Sequence, residues 1–185
     1  MSAAASPATT TTWKVDPVHS VAEFRVRHMM ISNVRGQFTG VTGSLTYDPS
    51  QLDKSRVEAS IDVSTINTHD AQRDTHLKSA DFFDVEKFPA LTFQSSRVTR
   101  RADGAVVVSG RLSIHGVSRE VEFVVEGPTP PTKDPWGNTR IGVSASTKID
   151  RRDFGLNFHA ALETGGVVVG DEVSITLELE FVQQV

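Results

Sequence analysis

The sequence predicts an all-β protein: a closed antiparallel barrel of eight strands, with one inserted α-helix and one short helical turn. Segments in which apolar and polar residues alternate recur along the whole chain, and a period of two is the signature of a strand with one buried face. Most of these segments are joined by short turns, which is typical of antiparallel sandwiches and barrels. We favour the barrel because closure leaves no unpaired sheet edge.

The first predicted strand occupies residues 13–28, and the other strands are interpreted around it. After the turn at Asp16-Pro17, the even positions form an apolar face with polar ends, and the odd positions are mostly charged. The even face consists of Ser20, Ala22, Phe24, Val26 and His28. Such a half-buried strand needs neighbours that continue its apolar face.

The next two strands and a helix follow in order. Residues 34–47 alternate, but the parity changes at Gly40-Val41, which predicts a bulge or sharp bend. Residues 56–65 alternate without interruption. The following segment has few β-branched residues, and we predict a helix from about 71 to 79 with Asp70 as its N-cap and Leu77 as its main apolar anchor.

Five strands complete the predicted barrel. Asp103-Gly104 is a strong hairpin signal, and His115-Gly116 predicts a second tight turn. Residues 127–137 form the one long irregular loop, and residues 151–155 break the pattern as a short helical turn. The apolar faces of these strands are Leu91 and Phe93; Val106, Val108, Gly110, Leu112 and Ile114; Val121, Phe123 and Val125; Ile141, Val143, Ala145, Thr147 and Ile149; and Val173, Ile175, Leu177, Leu179 and Phe181.

Composition excludes several classes of function. A formal charge of -4 and a pI near 5.8 argue against a nucleic-acid partner, which normally requires a basic surface. The absence of cysteine excludes disulfides, thiol catalysis and cysteine-ligated metals. No stretch approaches the roughly 20 apolar residues of a spanning helix, so we expect no stable membrane insertion.

The N-terminal residues 1–12 are small and rich in Ser and Thr, with no basic start and no apolar run. We therefore predict a disordered tail rather than a secretory signal, followed by one domain over residues 13–183. A cytoplasmic location follows if Met1 is the natural start. A periplasmic or secreted location follows if a signal peptide was removed.

Seven motifs follow one another along the chain. They are W-x-V-D-x-x-H-S at 13–20, F-x-V-x-H at 24–28, V-x-G-x-F at 34–38, LKSADFFDVEKFPALTF at 77–93, GRLSIHGVSREVEF at 110–123, IDRRDFG at 149–155 and GDEVSITLELE at 170–180. In these motifs the chain resembles the YceI family of lipocalin-like proteins. The resemblance implies an extended eight-stranded lipocalin-like barrel with a helix against it. It also implies a polyisoprenoid or quinone-type lipid in the apolar lumen, no other cofactor, and the homodimer that is frequent in the family.

The inward faces predict the residues that would contact such a lipid. The lumen set is Phe24, Val26, Phe38, Ile61, Phe93, Val108, Leu112, Phe123, Ile141, Val143, Ile175, Leu177 and Leu179. Small inward residues lie among them: Ala22, Gly36, Ala59, Gly110 and Ala145. They would leave a channel open, although alternating small and large residues also fill a tapering barrel.

A headgroup at the barrel mouth would meet His28, Arg73, Phe82 and Phe83. The alternative for Arg73, which we favour, is that it pairs with a carboxylate and fixes the helix to the barrel rim. Similarly, His69 and His76 are seven residues apart and could share a weak metal site, but a solvated or capping cluster is favoured, and we assign no metal.

Three functions are compatible with the sequence. The leading interpretation is a non-enzymatic carrier of a long isoprenoid lipid. The second is an enzyme acting on such a lipid at the barrel mouth, but we assign no catalytic residue because G-x-S-x-G, P-loop and H-E-x-x-H motifs are absent. The third is a stress-related structural module whose core is filled by its own side chains.

Overall fold

The computed structural model describes residues 10–163 and 167–185. These residues form eleven strands, one α-helix and four short 3-10 helices. The strands are β1 (Thr11–Val15), β2 (Val21–His28), β3 (Ser32–Phe38), β4 (Val41–Tyr47), β5 (Arg56–Asp62), β6 (Ala90–Arg100), β7 (Val106–Ile114), β8 (Val117–Glu126), β9 (Thr132–Lys133), β10 (Thr139–Asp150) and β11 (Val169–Gln184). The helix α1 spans Ala71–Lys78, and the 3-10 helices are Pro17–His19, Leu52–Lys54, Val63–Thr65 and Arg151–Phe154.

Four of the strands combine into two longer ones. Strands β1 and β2 follow one another along the same edge of β11, separated only by the 3-10 turn Pro17–His19. Strands β3 and β4 likewise follow one another along β2 and β1, with a break at Gly40. The bend predicted at Gly40-Val41 is therefore confirmed, and the barrel has eight long strands with the two-residue β9 beside β10.

The sheet closes on itself through an antiparallel pairing of β10 with β11. The order is β3-β2-β11-β1-β4-β5-β6-β7-β8-β10-β9, and every pairing between these strands is antiparallel. The predicted eight-stranded closed barrel is confirmed. The loop predicted to be irregular contains β9, since Thr132 and Lys133 pair with the start of β10.

The helix and the tight turns form where the sequence predicts them. Asp70 is the N-cap of α1, since its carboxylate accepts a hydrogen bond of 2.9 Å from the backbone N–H of Arg73. His115 and Gly116 both have positive φ (52° and 73°), as a type I′ hairpin turn requires. Gly155, with φ 74°, ends the 3-10 helix predicted as a helical turn.

The two ends of the barrel differ. One end, which we call the helix end, carries α1 together with the β2–β3 turn, the β7–β8 turn and the Arg151–Phe154 helix. The opposite end carries the start of β1 and the end of β11. No α-helix among the described residues is long and apolar enough to span a bilayer.

The start of the domain differs from the prediction. Residues 1–9 of the predicted tail lie outside the described residues. Thr11 and Thr12, which fall within the predicted tail, belong to β1 because they pair with Tyr47 and Thr46 of β4. Their backbone groups thereby extend the barrel wall at the end opposite the helix.

Candidate functional site

An apolar cavity of about 270 Å³ lies inside the barrel. Its lining extends from Leu77 and Phe83 at the helix end to Tyr47 and Val106 at the opposite end. The space is far larger than a single water needs, and its walls are mostly aliphatic and aromatic. Apolar cavities of this kind stay dry and accept apolar ligands.

Twelve of the thirteen predicted lumen residues line this cavity. They are Phe24, Val26, Phe38, Ile61, Phe93, Val108, Leu112, Phe123, Val143, Ile175, Leu177 and Leu179. The exception is Ile141, which is buried (3% exposed) but lies in the packed core instead. Ile141 pairs with Phe181 of β11, which in turn pairs with Val15 of β1, and of these three buried residues Phe181 alone lines the cavity.

Aromatic side chains form much of the wall. Phe38 contacts Phe24 and Phe83 with ring centroids 5.7 and 5.9 Å apart. Phe93 of β6 and Phe123 of β8 form a second pair, edge to face, with ring centroids 5.3 Å apart. Phe82 and Phe83 were predicted to lie at the barrel mouth. Both line the cavity, near α1.

The small inward residues divide into two groups. Ala22, Ala59 and Ala145 line the cavity, as a channel requires. Gly36 and Gly110 do not widen it, because the rings of Phe24 and Phe93 lie where a Cβ on either glycine would be.

His28 and Arg73, the predicted polar mouth residues, do not line the cavity. The Arg73 side chain donates to the Thr68 hydroxyl (2.8 Å) and carbonyl (2.9 Å). The neighbouring Asp74 accepts from the same residue's N–H and hydroxyl. Arg73 thus fixes the helix, as favoured from the sequence, but through Thr68 rather than through a carboxylate.

The charged residues along the cavity were not predicted from the sequence. Arg151 lies at the helix end, 5% exposed, and donates hydrogen bonds to the carbonyls of Leu156 and Gly170 and to the Asp171 carboxylate. Arg56 and Arg100 lie at the opposite end, where their guanidinium groups donate to nearby backbone carbonyls. A fourth charged residue, Glu23, also borders the cavity.

The two histidines considered for a metal site make other contacts. His69 has a positive φ of 62° in the turn before α1. The His76 ring lies 2.9 Å from the Asp81 carboxylate and packs against Phe82 and Phe158. Within residues 10–163 and 167–185, these histidines belong to no cluster of potential metal ligands.

One such cluster lies elsewhere, at the turn between β1 and β2. It contains Asp16, His19 and Glu180. Arg140 already occupies the centre of this cluster, since its guanidinium donates to Asp16 and Glu180 at 2.6 Å each and to Asp134 at 2.7 Å. Hydrogen bonds from Arg140, and then His19, lower the pKa of Asp16 to about 2. The cluster therefore braces the turn on the outside of the barrel.

The chain is similar to several known proteins. UPF0312 protein SA2479 of Staphylococcus aureus is 36% identical over 172 residues, which cover 92% of this chain and 97% of that protein. The crystal structure of the Campylobacter jejuni YCEI protein is similar, with 28% identity, a TM-score of 0.70, and coverage of 86% of this chain and 90% of the other.

A more distant structural neighbour is a polyisoprenoid binding domain from Saccharophagus degradans, implicated in plant cell wall breakdown. It shares the fold, with a TM-score of 0.68 and 16% identity, over 94% of this chain and 99% of that one. The family model of the YceI-like domain matches residues 13–181, nearly the whole barrel. The chain therefore belongs to the YceI-like family.

Proposed function

We propose that this protein binds a long isoprenoid or quinone-type lipid inside its barrel and carries it, without transforming it. The observation behind the proposal is the cavity, whose aliphatic and aromatic lining extends from the helix end to the opposite end. A slender occupant suits an eight-stranded barrel, whose interior accommodates one small or narrow ligand. The fold shared with the polyisoprenoid binding domain of S. degradans supports the same class of ligand.

The energetics favour a long chain over a short one. At roughly 25 cal/mol per Å², burying about 500 Å² of isoprenoid contributes on the order of 12 kcal/mol. Association itself costs roughly 4–15 kcal/mol. A short apolar fragment therefore binds weakly in an apolar cavity, whereas a chain that fills it binds tightly with few polar contacts.

A carrier is favoured over an enzyme by the chemistry of the wall. The described residues that line the cavity include no histidine and no aspartate, which are the usual general bases. Among the described residues no hydrogen bond pairs the Glu23 carboxylate with a nucleophilic hydroxyl, and Arg151 is already bonded to carbonyls and a carboxylate. These residues support retention of a ligand more than turnover.

The proposal is tested by organic extraction of freshly purified protein followed by mass spectrometry, and then by titration with isoprenoids of increasing length. We expect a long isoprenoid in the extract and an affinity that rises with chain length. Leu177→Asp places a carboxylate in the cavity wall and should abolish retention. Thr176→Asp, one residue away on the outer face, is the matched control. A flat response to chain length, or undiminished lipid in folded Leu177→Asp protein, would refute the proposal.

A further inference from the structure

The turn between β2 and β3 presents three consecutive large apolar side chains to solvent. Met29, Met30 and Ile31 are 40%, 51% and 77% exposed. They extend beyond the last cross-strand pair, His28 and Ser32, at the helix end of the barrel. We call these three residues the apolar tip. Isolated exposed apolar residues are normal, but a contiguous group at the end of a hairpin marks an interaction site.

The residues of the apolar tip are not the ones that its backbone conformation favours. Met29 and Met30 both have positive φ (49° and 60°), and the Ile31 N–H donates to the His28 carbonyl at 3.1 Å. A tight turn with two left-handed residues strongly favours Asn-Gly, whereas bulky residues rarely adopt this conformation. Methionines at both positions therefore serve something other than the stability of the turn.

The outer face of the same hairpin is basic. Arg25 and Arg35 lie directly opposite one another, a cross-strand arrangement in which like charges repel. Arg27 is closer to the tip, and its guanidinium donates to the Met30 carbonyl at 3.1 Å. Within the described part of the chain, none of these three guanidinium groups forms a salt bridge. The acidic residue of β2, Glu23, lies further from the apolar tip than the arginines do. An anionic partner would relieve the repulsion.

The inner face of the hairpin belongs to the cavity. Phe24 and Val26 of β2 line it, as does Val169 of β11, which pairs with His28. One short hairpin thus carries an apolar tip, three arginines behind it and part of the cavity wall.

We propose that this hairpin docks the barrel on an anionic lipid bilayer. The apolar tip enters the boundary between headgroups and acyl chains, and Arg25, Arg27 and Arg35 contact lipid phosphates, the combination that attaches peripheral proteins to membranes. Docking does not depend on what the cavity holds. Its role in loading or releasing a lipid, however, rests on the proposed function.

The test is flotation of the protein with phosphatidylcholine vesicles, with and without phosphatidylglycerol. We expect binding that requires phosphatidylglycerol and weakens as ionic strength rises. Replacing the tip by the preferred turn, Met29→Asn with Met30→Gly, should abolish binding while leaving the unfolding midpoint equal or higher. Val18→Ser with Trp136→Ser removes two apolar side chains elsewhere that are more exposed (83% and 82%) than Met29 and Met30, and is the control for a general loss of exposed apolar surface.

A second pair of variants tests the charge. Arg25→Gln with Arg35→Gln should weaken vesicle binding by about fivefold per arginine removed. Arg97→Gln with Arg119→Gln, also exposed, should leave it unchanged. Equal flotation of the wild type and of the variant with Met29→Asn and Met30→Gly would overturn the proposal. So would a wild-type protein that binds no vesicles but forms a dimer that the same two substitutions disrupt. Loss of vesicle binding with normal lipid retention separates docking from the proposed cargo.

Discussion

Ala145 offers a direct test of whether the cavity is the binding site. It lies on β10 between Val125 of β8 and Leu177 of β11, is 8% exposed, and lines the cavity. Ala145→Leu adds about three carbon groups to the wall, and at about 0.8 kcal/mol per buried group this should stabilise the lipid-free protein by about 2 kcal/mol. The same atoms take space from a chain that fills the cavity, so its affinity should fall about 50-fold. The two effects have opposite signs.

Urea unfolding measures the first effect and titration with an isoprenoid length series measures the second. A chain too short to reach the level of Ala145 should bind the variant as it binds the wild type. Ala90→Leu, on the exposed outer face of β6, is the control and should change neither quantity. A stabilised variant with unchanged affinity for long chains would place the lipid elsewhere. A destabilised variant would show that the barrel has no room at this level.

The remaining predictions concern the charged clusters and one glycine. Hydrogen bonding by Arg140 lowers the pKa of Asp16 to about 2, below the value of about 3.9 in the unfolded chain. The ionised Asp16 carboxylate therefore stabilises the fold above about pH 4, and this stabilisation is lost as the pH falls from about 4 to about 2. Arg140→Met should flatten the decline of the urea midpoint in that window. Arg151→Met should lower the free energy of unfolding by about 3 kcal/mol, measured by urea denaturation, because it leaves a carboxylate and several buried carbonyls without their donor. Gly110→Ala should lower the thermal midpoint, with a loss of about 1–3 kcal/mol, because its Cβ would meet the Phe93 ring and the β6 backbone.

The alternation of the sequence predicts which side of the wall a residue faces, but not how far along the barrel it lies. Ile141 and Val143 share the same face of β10, and only Val143 reaches the cavity. Ile141 lies at the level of Phe181 and Val15, where Phe181 lines the cavity and the other two side chains do not. That level is set by the register between β1, β10 and β11, whose contacts lie far apart in sequence.

Cross-strand register also decides what a small residue does. Gly36 pairs with Phe24 across β2 and β3, so the phenyl ring lies over the glycine and the space is filled. Ala145 pairs with Leu177, and both line the cavity. The sequence marks both positions as small and inward, but only the pairing distinguishes a covered position from an open one.

Arg151 shows a different limit. In the sequence it is one of two adjacent arginines at a turn, and exposed arginine pairs are common at turns. The structure buries Arg151 and leaves its neighbour Arg152 exposed beside Asp150. Most of the acceptors of Arg151 are backbone carbonyls, including that of Gly170, and a carbonyl leaves no mark in a sequence. The acidic Asp171 is the one partner that a search for complementary charges could have found.

The cavity and the apolar tip address the same energetic problem. At about 24 cal/mol per Å³, a cavity of 270 Å³ costs about 6 kcal/mol, a large part of the 5–15 kcal/mol that stabilises a typical domain. A ligand that fills the cavity offsets this cost. The same ligand cannot leave into water without exposing its whole apolar chain again, and its release into water is therefore slow. Release into a bilayer avoids that exposure, provided that the end of the barrel at which the lipid leaves contacts the membrane. A lipid carrier of this construction therefore needs a docking element beside its cavity, and the hairpin carrying Met29, Met30 and Ile31 lies at that position.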